Sequence, residues 1–136
     1  MRNRIITYLM VISSLILGLI LYWGFRKGLI INKLIDIKLF RNDFSGFPLP
    51  DWCIYSLPDA LWMFSLILLI ITLWDFNFNK YCIIWISISY LTGIMFEILQ
   101  KTTLIKGTFD YKDLVFMTIA SILPILITYK FKGVST

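Results

Sequence analysis

The sequence predicts an all-α membrane protein, a four-helix transmembrane bundle with a short interfacial segment between spans 1 and 2. Three observations support this class. Of the 136 residues, 59% are hydrophobic and only 15% are charged. The apolar residues form four long runs, and almost every acidic residue lies beside an end of one of these runs. Because the chain is too short for two such bundles, residues 1–136 are predicted to form a single transmembrane domain.

The four predicted spans are residues 5–25, 57–74, 81–99 and 114–129. A hydrocarbon core of ~30 Å requires ~20 helical residues. The first and third runs meet this length, whereas the second and fourth must include flanking residues. The first run is about twice as long as the apolar region of a secretory signal and is not followed by a small-residue cleavage site. It is therefore interpreted as a retained span.

The 26–56 loop is the only sizeable segment outside the predicted spans. Between residues 30 and 38, apolar and polar side chains alternate irregularly, a pattern compatible with a short helix lying in the membrane interface. We expect this helix to cover one end of the bundle. The stretch Ser45-Gly46-Phe47-Pro48-Leu49-Pro50 then predicts a turn and extended chain leading back to the membrane.

Four spans would place both termini and the 75–80 connection on one side, and the 26–56 and 100–113 loops on the other. The loop side carries eight Lys and Arg residues against five on the termini side, which favours cytoplasmic loops. Arg2 and Arg4, immediately before the first span, favour the opposite orientation. We expect a multi-pass protein of the cell membrane with both termini in the cytoplasm. Cys53 and Cys82 would then lie at opposite faces and form no disulfide.

Composition excludes several classes of function. The chain contains no His, so imidazole-dependent catalytic triads and zinc catalysis are excluded. Most of the basic residues lie outside the spans, as expected for anchors at anionic lipid, and nucleic acid is not an expected partner. The expected partners are membrane lipids. No cofactor is predicted, and no metal site is assigned.

Pairs of small residues mark the helix faces that are expected to pack. Ser14 and Gly18 form one such pair, and Ser89 and Gly93 form another. Glu97 lies one helical turn beyond Gly93 on the same face. A face that permits close helix approach therefore directs the carboxylate of Glu97 toward the bundle and away from lipid.

Three short segments should converge on the loop side, at the start of the second span, the end of the third and the start of the fourth. They supply the candidate binding residues Asp59, Trp62, Glu97, Gln100, Asp110 and Asp113. No catalytic residue is assigned among them. The Trp62 indole N–H lies one turn from Asp59 and could reach a carboxylate.

Helix capping is the alternative explanation for the aspartates. Ser56 and Asp59 have the spacing of a capping box, and an acid in the first turn complements the helix dipole, as at Asp110 and Asp113. Glu97 differs because it lies in the last turn, where a negative charge opposes the dipole. A buried network or functional role for Glu97 is therefore favoured over a solvated helix end.

These segments resemble the VanZ-like family of small bacterial integral membrane proteins. The resemblance covers residues 55–125 and depends on the order and spacing of Asp59, Trp62, Glu97, Gln100, Gly107, Asp110 and Asp113. The chain departs from the family pattern in having no His and in carrying Phe116, Met117 and Ser121 where family members often have Asn followed by Gly. The resemblance implies a role in the bacterial envelope, since the founding member is associated with low-level resistance to teicoplanin-type glycopeptides.

Three functions remain open at this stage. The first is a non-enzymatic envelope protein with an acidic pocket at one membrane face, binding a polar lipid head group or a lipid-linked envelope ligand and linked to glycopeptide tolerance. The second is a membrane-embedded enzyme acting on a lipid-linked substrate, its carboxylates serving as general acids and bases or holding Mg²⁺ or Ca²⁺. The third is a structural subunit that packs against a larger membrane protein partner.

Overall fold

The computed structural model describes residues 2–25, 49–102, 104–105 and 109–132. Within this part of the chain the structure is helical and contains no strand, which confirms the all-α prediction. The helices are α1 (Arg2–Phe25), α2 (Asp51–Tyr55), α3 (Leu57–Leu73), α4 (Lys80–Lys101) and α5 (Tyr111–Lys132). Each predicted span corresponds to one long helix. The predicted interfacial helix between residues 30 and 38 lies outside the described residues.

Three of the described helices, α1, α4 and α5, are long and apolar enough to cross a membrane. Helix α3 is equally apolar but has only 17 residues, which corresponds to about 26 Å. Both α1 and α4 expose rows of large apolar side chains, among them Leu9, Ile16, Ile83 and Leu91. Such surfaces are typical of helices that contact lipid.

Helix α3 lies at the centre of the bundle. It packs most extensively against α1 and α5, whereas α4 makes smaller contacts with α3 and α5. Nine of its residues are buried, and only Leu66 and Leu73 are exposed. A helix that is apolar on all sides is stable in such surroundings, as it is within a membrane. The hydrophobic core is therefore formed mainly by one face of α3 together with α4 and α5, around Ile67, Ile71, Cys82 and Met117.

The α1–α3 interface depends on the predicted pair of small residues. The Ser14 hydroxyl forms a hydrogen bond with the Ser65 hydroxyl, and both side chains are buried. One turn further along α1, a Cβ built on Gly18 would lie 2.7 Å from Nε1 of Trp62. The absence of a side chain at Gly18 allows the indole to lie directly against the α1 backbone. The prediction that Ser14 and Gly18 face another helix is confirmed.

Gly93 performs the same role where α3, α4 and α5 meet. A Cβ on Gly93 would lie 2.5 Å from the Met63 methyl group and 3.3 Å from the Met117 methyl group. Ser89, the other member of the pair, is half-buried and donates its hydroxyl hydrogen bond to the carbonyl of Trp85. Close approach therefore occurs at Gly93 alone. A Tyr90–Thr118 hydrogen bond of 2.9 Å also links α4 to α5.

The turn between α3 and α4 reverses the chain in few residues. Asp75 and Phe76 have φ values of 55° and 58°, the left-handed region that non-glycine residues seldom occupy. The Phe76 amide donates to the Ile71 carbonyl, which closes the end of α3. An Arg4–Asp75 ion pair joins this turn to the start of α1. The N-terminal end of α1 and the 75–80 connection therefore share one end of the bundle, as predicted.

Helix α2 was not predicted from the sequence. The chain is extended at Pro50 and becomes helical from Asp51 to Tyr55. Ser56 has α-helical dihedral angles, so α2 leads almost directly into α3. The pattern of turn residues ends at Pro50, and a five-residue helix is too short to produce a periodic signal. Cys53 in α2 and Cys82 in α4 are both free, as expected.

Candidate functional site

Three acidic side chains lie in one layer at the end of the bundle opposite the Arg4–Asp75 ion pair. The contacts of Gly93 with Met63 and Met117 fix the relative heights of α3, α4 and α5. Asp59 precedes Met63 by four residues, Glu97 follows Gly93 by four, and Asp113 precedes Met117 by four. Each of these four-residue intervals spans about 6 Å along its helix toward the same end of the bundle and stays on the same helix face. We refer to Ser56, Asp59, Glu97 and Asp113 as the acidic recess.

Burial distinguishes the members of the acidic recess from ordinary helix ends. Glu97 and Asp113 are each only 6% exposed, and Asp59 is half-buried. Glu97 and Cys82 are the only buried residues of α4. Glu97 is therefore buried and is not a solvated helix end; its functional role stays a prediction. Burial of a carboxylate is unfavourable unless other groups compensate its charge.

Ser56 does not form the capping box predicted with Asp59. Its side chain makes no capping hydrogen bond, because the residue itself has α-helical dihedral angles and not the extended conformation of a cap. The side chain is 1% exposed, and its hydroxyl has no hydrogen-bond partner within the described part of the chain. Ser56, Ala60 and Met63 follow helical spacing, so the Ser56 side chain lies on the face that packs against α4 and α5.

Asp110 and Asp113 have different roles although they are three residues apart. Asp110 is exposed, and its Oδ1 atom accepts a hydrogen bond of 2.9 Å from the Lys112 amide at the start of α5. This is the capping role. Asp113 is buried in the first turn, and its Oδ1 atom has no hydrogen-bond partner among the residues that the structure describes. The structure therefore places Asp110 outside the recess and Asp113 within it.

Trp62 and Gln100 lie at the margins of the site. The Trp62 indole lies against Gly18, and its ring centroid is 5.2 Å from that of Tyr22. It is thus part of the α1–α3 interface, and its N–H is held against α1 instead of reaching a carboxylate. Gln100 is half-buried in the last turn of α4. Gly107, which contributes to the family resemblance, lies outside the described residues.

Aromatic residues at this end of the bundle were missed as parts of the site. The ring of Trp52 in α2 stacks on that of Phe116 in α5, with centroids 5.3 Å apart and planes 6° from parallel. Phe116 lies one turn from Asp113, so α2 is held beside the recess. The Lys101 ammonium lies 5.2 Å from the centroid of the Phe109 ring. Only the alternation of aromatic and acidic residues between 109 and 116 hinted at this arrangement.

The recess offers hydrogen-bond acceptors in a sheltered setting. Ionised carboxylates only accept hydrogen bonds, and the Ser56 hydroxyl can accept or donate. No group of three or more His, Cys, Asp or Glu side chains within the described ranges has the geometry of a metal site. The arrangement is therefore chemically suited to accept hydrogen bonds from N–H or O–H donors.

Comparison with protein families, curated proteins and solved structures finds no match to this chain. The class that the structure defines is an all-helical protein with three helices of the length and composition of membrane spans. The resemblance to the VanZ-like family stays a prediction based on the spacing of residues in the sequence.

Proposed function

We propose that this protein is a VanZ-like integral membrane protein of the bacterial envelope with four spans, and that its acidic recess binds the polar head group of an envelope ligand without catalysing a reaction. The observation that carries the proposal is the burial of Glu97 and Asp113 on facing helices, one turn beyond Gly93. Acidic residues within apolar spans are rare and usually functional. In this arrangement, the short α3 is the second span, enclosed by the longer helices.

The chemistry of the recess indicates which head groups it accepts. In a medium of low dielectric constant, a bound cation or several N–H or O–H donors interact favourably with buried carboxylates. The Oδ1 atom of Asp113 and the Ser56 hydroxyl add acceptors that the described residues leave unused. A head group with an ammonium or several hydroxyl groups fits these requirements, whereas a bare phosphate does not.

The orientation and the link to glycopeptides belong to the same proposal. With Arg2 and Arg4 at the cytoplasmic face, the acidic recess lies at the outer face, where envelope precursors and glycopeptides meet. A ligand bound there would alter how much target is accessible to a glycopeptide. This is how a non-enzymatic protein would raise tolerance.

The proposal is tested in a bacterial strain that expresses variants at equal membrane abundance. Glu97→Gln and Asp113→Asn preserve the shape of each side chain and remove its charge. We expect both variants to lose the change in glycopeptide susceptibility that the parent protein confers. Asp110→Asn is the matched control, because Asn also caps helices and Asp110 lies outside the recess. Equal susceptibility of strains with and without the parent protein, or equal loss with Asp110→Asn, would contradict the proposal.

A direct binding measurement separates the head group from the rest of the ligand. Purified protein in detergent micelles is titrated with glycerophosphoethanolamine, which carries an ammonium group and no acyl chains, and its thermal unfolding is followed by circular dichroism. Stabilisation of the parent protein that is absent from Glu97→Gln and unchanged in Asp110→Asn supports the recess as the binding site. Equal stabilisation of all three proteins would exclude it.

A further inference from the structure

Exposed tyrosine and tryptophan side chains lie at two levels of the bundle. Beside the turn between α3 and α4 these are Tyr81, Trp85 and Tyr129, which we call the termini-side girdle. At the opposite end they are Trp52 in α2 and Tyr111 in α5, which we call the loop-side girdle. Tyr and Trp combine an apolar ring with a polar O–H or N–H group, and they are enriched where hydrocarbon meets lipid head groups.

The contact between Gly93 and Met117 shows that tyrosines from separate helices share one height. Tyr81 precedes Gly93 by twelve residues, and Tyr129 follows Met117 by twelve. Because α4 and α5 run in opposite directions, both tyrosines lie about 18 Å from this contact toward the same end of the bundle. Tyr111 lies about 9 Å from the contact in the opposite direction. Each girdle is therefore a level of the whole bundle and not a feature of one helix.

The separation of the two girdles matches the thickness of a bilayer. Tyr111 and Tyr129 are 18 residues apart in α5, which corresponds to about 27 Å. In α4, the twenty residues from Tyr81 to Lys101 correspond to about 30 Å. A hydrocarbon core is ~30 Å thick. Residues 82–96 of α4 and 114–128 of α5, which lie between the girdles, contain no Asp, Glu, Lys or Arg.

The loop-side girdle is held in place by contacts within the protein. The Trp52 ring stacks on that of Phe116, and the Phe109 ring meets that of Tyr111 edge to face at 4.9 Å. The Lys101 ammonium lies over both of these last rings, 5.2 Å and 5.7 Å from their centroids. A cation is thus fixed at the level of the aromatic rings. This combination fits a head-group layer, where anionic lipids attract basic side chains.

We propose that the two girdles anchor the protein in the two head-group layers of a phospholipid bilayer and so set the depth of the bundle within it. The inference rests on the membrane-spanning part of the proposed function and adds the residues that contact the bilayer surfaces. The spacing of the girdles identifies hydrocarbon as the medium around the exposed apolar residues between them. Glu97 and Asp113 then lie about 3–6 Å inside the loop-side level, at the edge of the hydrocarbon.

The experiment locates the tryptophan side chains by fluorine NMR. Full-length protein that contains fluorotryptophan is reconstituted in vesicles of dioleoylphosphatidylcholine. A small amount of lipid carries a nitroxide, either on the head group or at the end of an acyl chain, and single Trp→Phe variants assign the signals. We expect the head-group label to broaden the signals of Trp52 and Trp85 more than the chain-end label does.

Leu91→Trp is the matched control on α4. Leu91 is ten residues from Tyr81 and ten from Lys101, and its exposure of 61% is close to the 51% of Trp85. Its position midway between the girdles predicts the reverse order, with stronger broadening by the chain-end label. Ile119→Trp, close to the middle of α5 and 48% exposed, makes the same comparison on a second helix. Circular dichroism verifies that each variant is folded.

Bilayer thickness provides a second measurement. Thermal unfolding is followed in vesicles of dimyristoleoyl-, dioleoyl- and dierucoylphosphatidylcholine, which form thin, intermediate and thick bilayers. A mismatch between the girdles and the hydrocarbon destabilises the protein, so the unfolding midpoint should be highest in the dioleoyl lipid. Replacing both Tyr81 and Trp85 with Leu lengthens the apolar part of α4 by about 6 Å and should move the highest midpoint to the thicker bilayer.

The contrary results separate this inference from the proposed function. Stronger broadening of Trp52 and Trp85 by the chain-end label, equal responses of Trp85 and Leu91→Trp, or a highest midpoint in the thinnest or thickest bilayer would overturn the girdles. If the fluorine signals follow the expected order but Glu97→Gln leaves glycopeptide susceptibility unchanged, the girdles stand and the binding role of the recess is wrong. If Glu97→Gln abolishes the susceptibility change and the fluorine order is reversed, only the girdles are wrong.

Discussion

Gly18 and Gly93 allow close helix approach in two interfaces, but they differ in what surrounds them. A Cβ at Gly18 would meet the Trp62 indole at 2.7 Å and 2.9 Å and the Pro58 carbonyl oxygen at 3.4 Å. The indole is rigid and is also packed against Tyr22. A Cβ at Gly93 would meet mainly the terminal methyl groups of Met63 and Met117, which can rotate away. We predict that Gly18→Ala destabilises the protein and that Gly93→Ala does not.

The magnitude follows from these distances. To regain ordinary contact at 3.4 Å, the Trp62 indole must move by about 0.7 Å, and overpacking of this kind costs about 1–3 kcal/mol. Replacement of Gly by Ala within a helix gains up to about 1 kcal/mol. With the full gain subtracted, the net loss in the free energy of unfolding for Gly18→Ala is up to about 2 kcal/mol. For Gly93→Ala the two effects nearly cancel, because methionine adapts at little cost.

Reversible unfolding in mixed detergent micelles measures both variants, and a double-mutant cycle with Trp62→Leu identifies the cause. If the clash is with the indole, Gly18→Ala should be nearly neutral when Trp62 is already replaced. Equal losses for the two glycine variants, or a Gly18→Ala loss that persists in the Trp62→Leu background, would refute the reasoning. A stabilising Gly18→Ala would refute it as well.

Three further predictions concern single contacts. Ser14→Ala and Ser65→Ala should each lower the free energy of unfolding by about 0.5–2 kcal/mol, because both remove the same interhelical hydrogen bond. The double mutant should therefore lose little more than either single mutant, and fully additive losses in micelle unfolding would contradict this. Asp110→Ala should lower the free energy of unfolding by about 0.5–2 kcal/mol, whereas Asp110→Asn should lower it much less because Asn retains the helix cap. Similar unfolding midpoints for the Ala and Asn variants would contradict this prediction. Asp75 has a left-handed backbone conformation, which Gly adopts without strain and Ala does not. Because both variants lack the ion pair with Arg4, Asp75→Gly should be about 1 kcal/mol more stable than Asp75→Ala. An Ala variant as stable as the Gly variant would count against this prediction.

Much of the helical architecture follows from the distribution of apolar residues along the chain. The predicted 5–25 and 57–74 spans correspond to Arg2–Phe25 and Leu57–Leu73, because a long apolar run satisfies its backbone groups most simply as a helix. The packing role of Gly18 and Gly93 was also predictable, since small residues at helical spacing allow close contact. Helix α2 was not predictable, because five residues have too little periodicity.

The candidate site was predictable only in part. Glu97 was identified by its position, since a carboxylate in the last turn of an apolar helix requires a local reason. Asp110 and Asp113 have the same local sequence signal, yet one caps α5 in solvent and the other is buried. Ser56 has the sequence of a cap and instead joins two helices. Such distinctions depend on neighbours from other helices, which local spacing does not specify.

The sequence by itself determined which segments are helical, which helices have membrane length and which residue types are carried to the loop end. These properties depend on local hydrophobicity and on backbone hydrogen bonding within a segment. The tertiary structure alone decided that α3 is central, that Glu97 and Asp113 are buried in one layer while Asp110 is exposed, and that Leu66 and Leu73 are the exposed residues of α3. These properties depend on which faces of separate helices meet, and close packing between distant parts of the chain settles that.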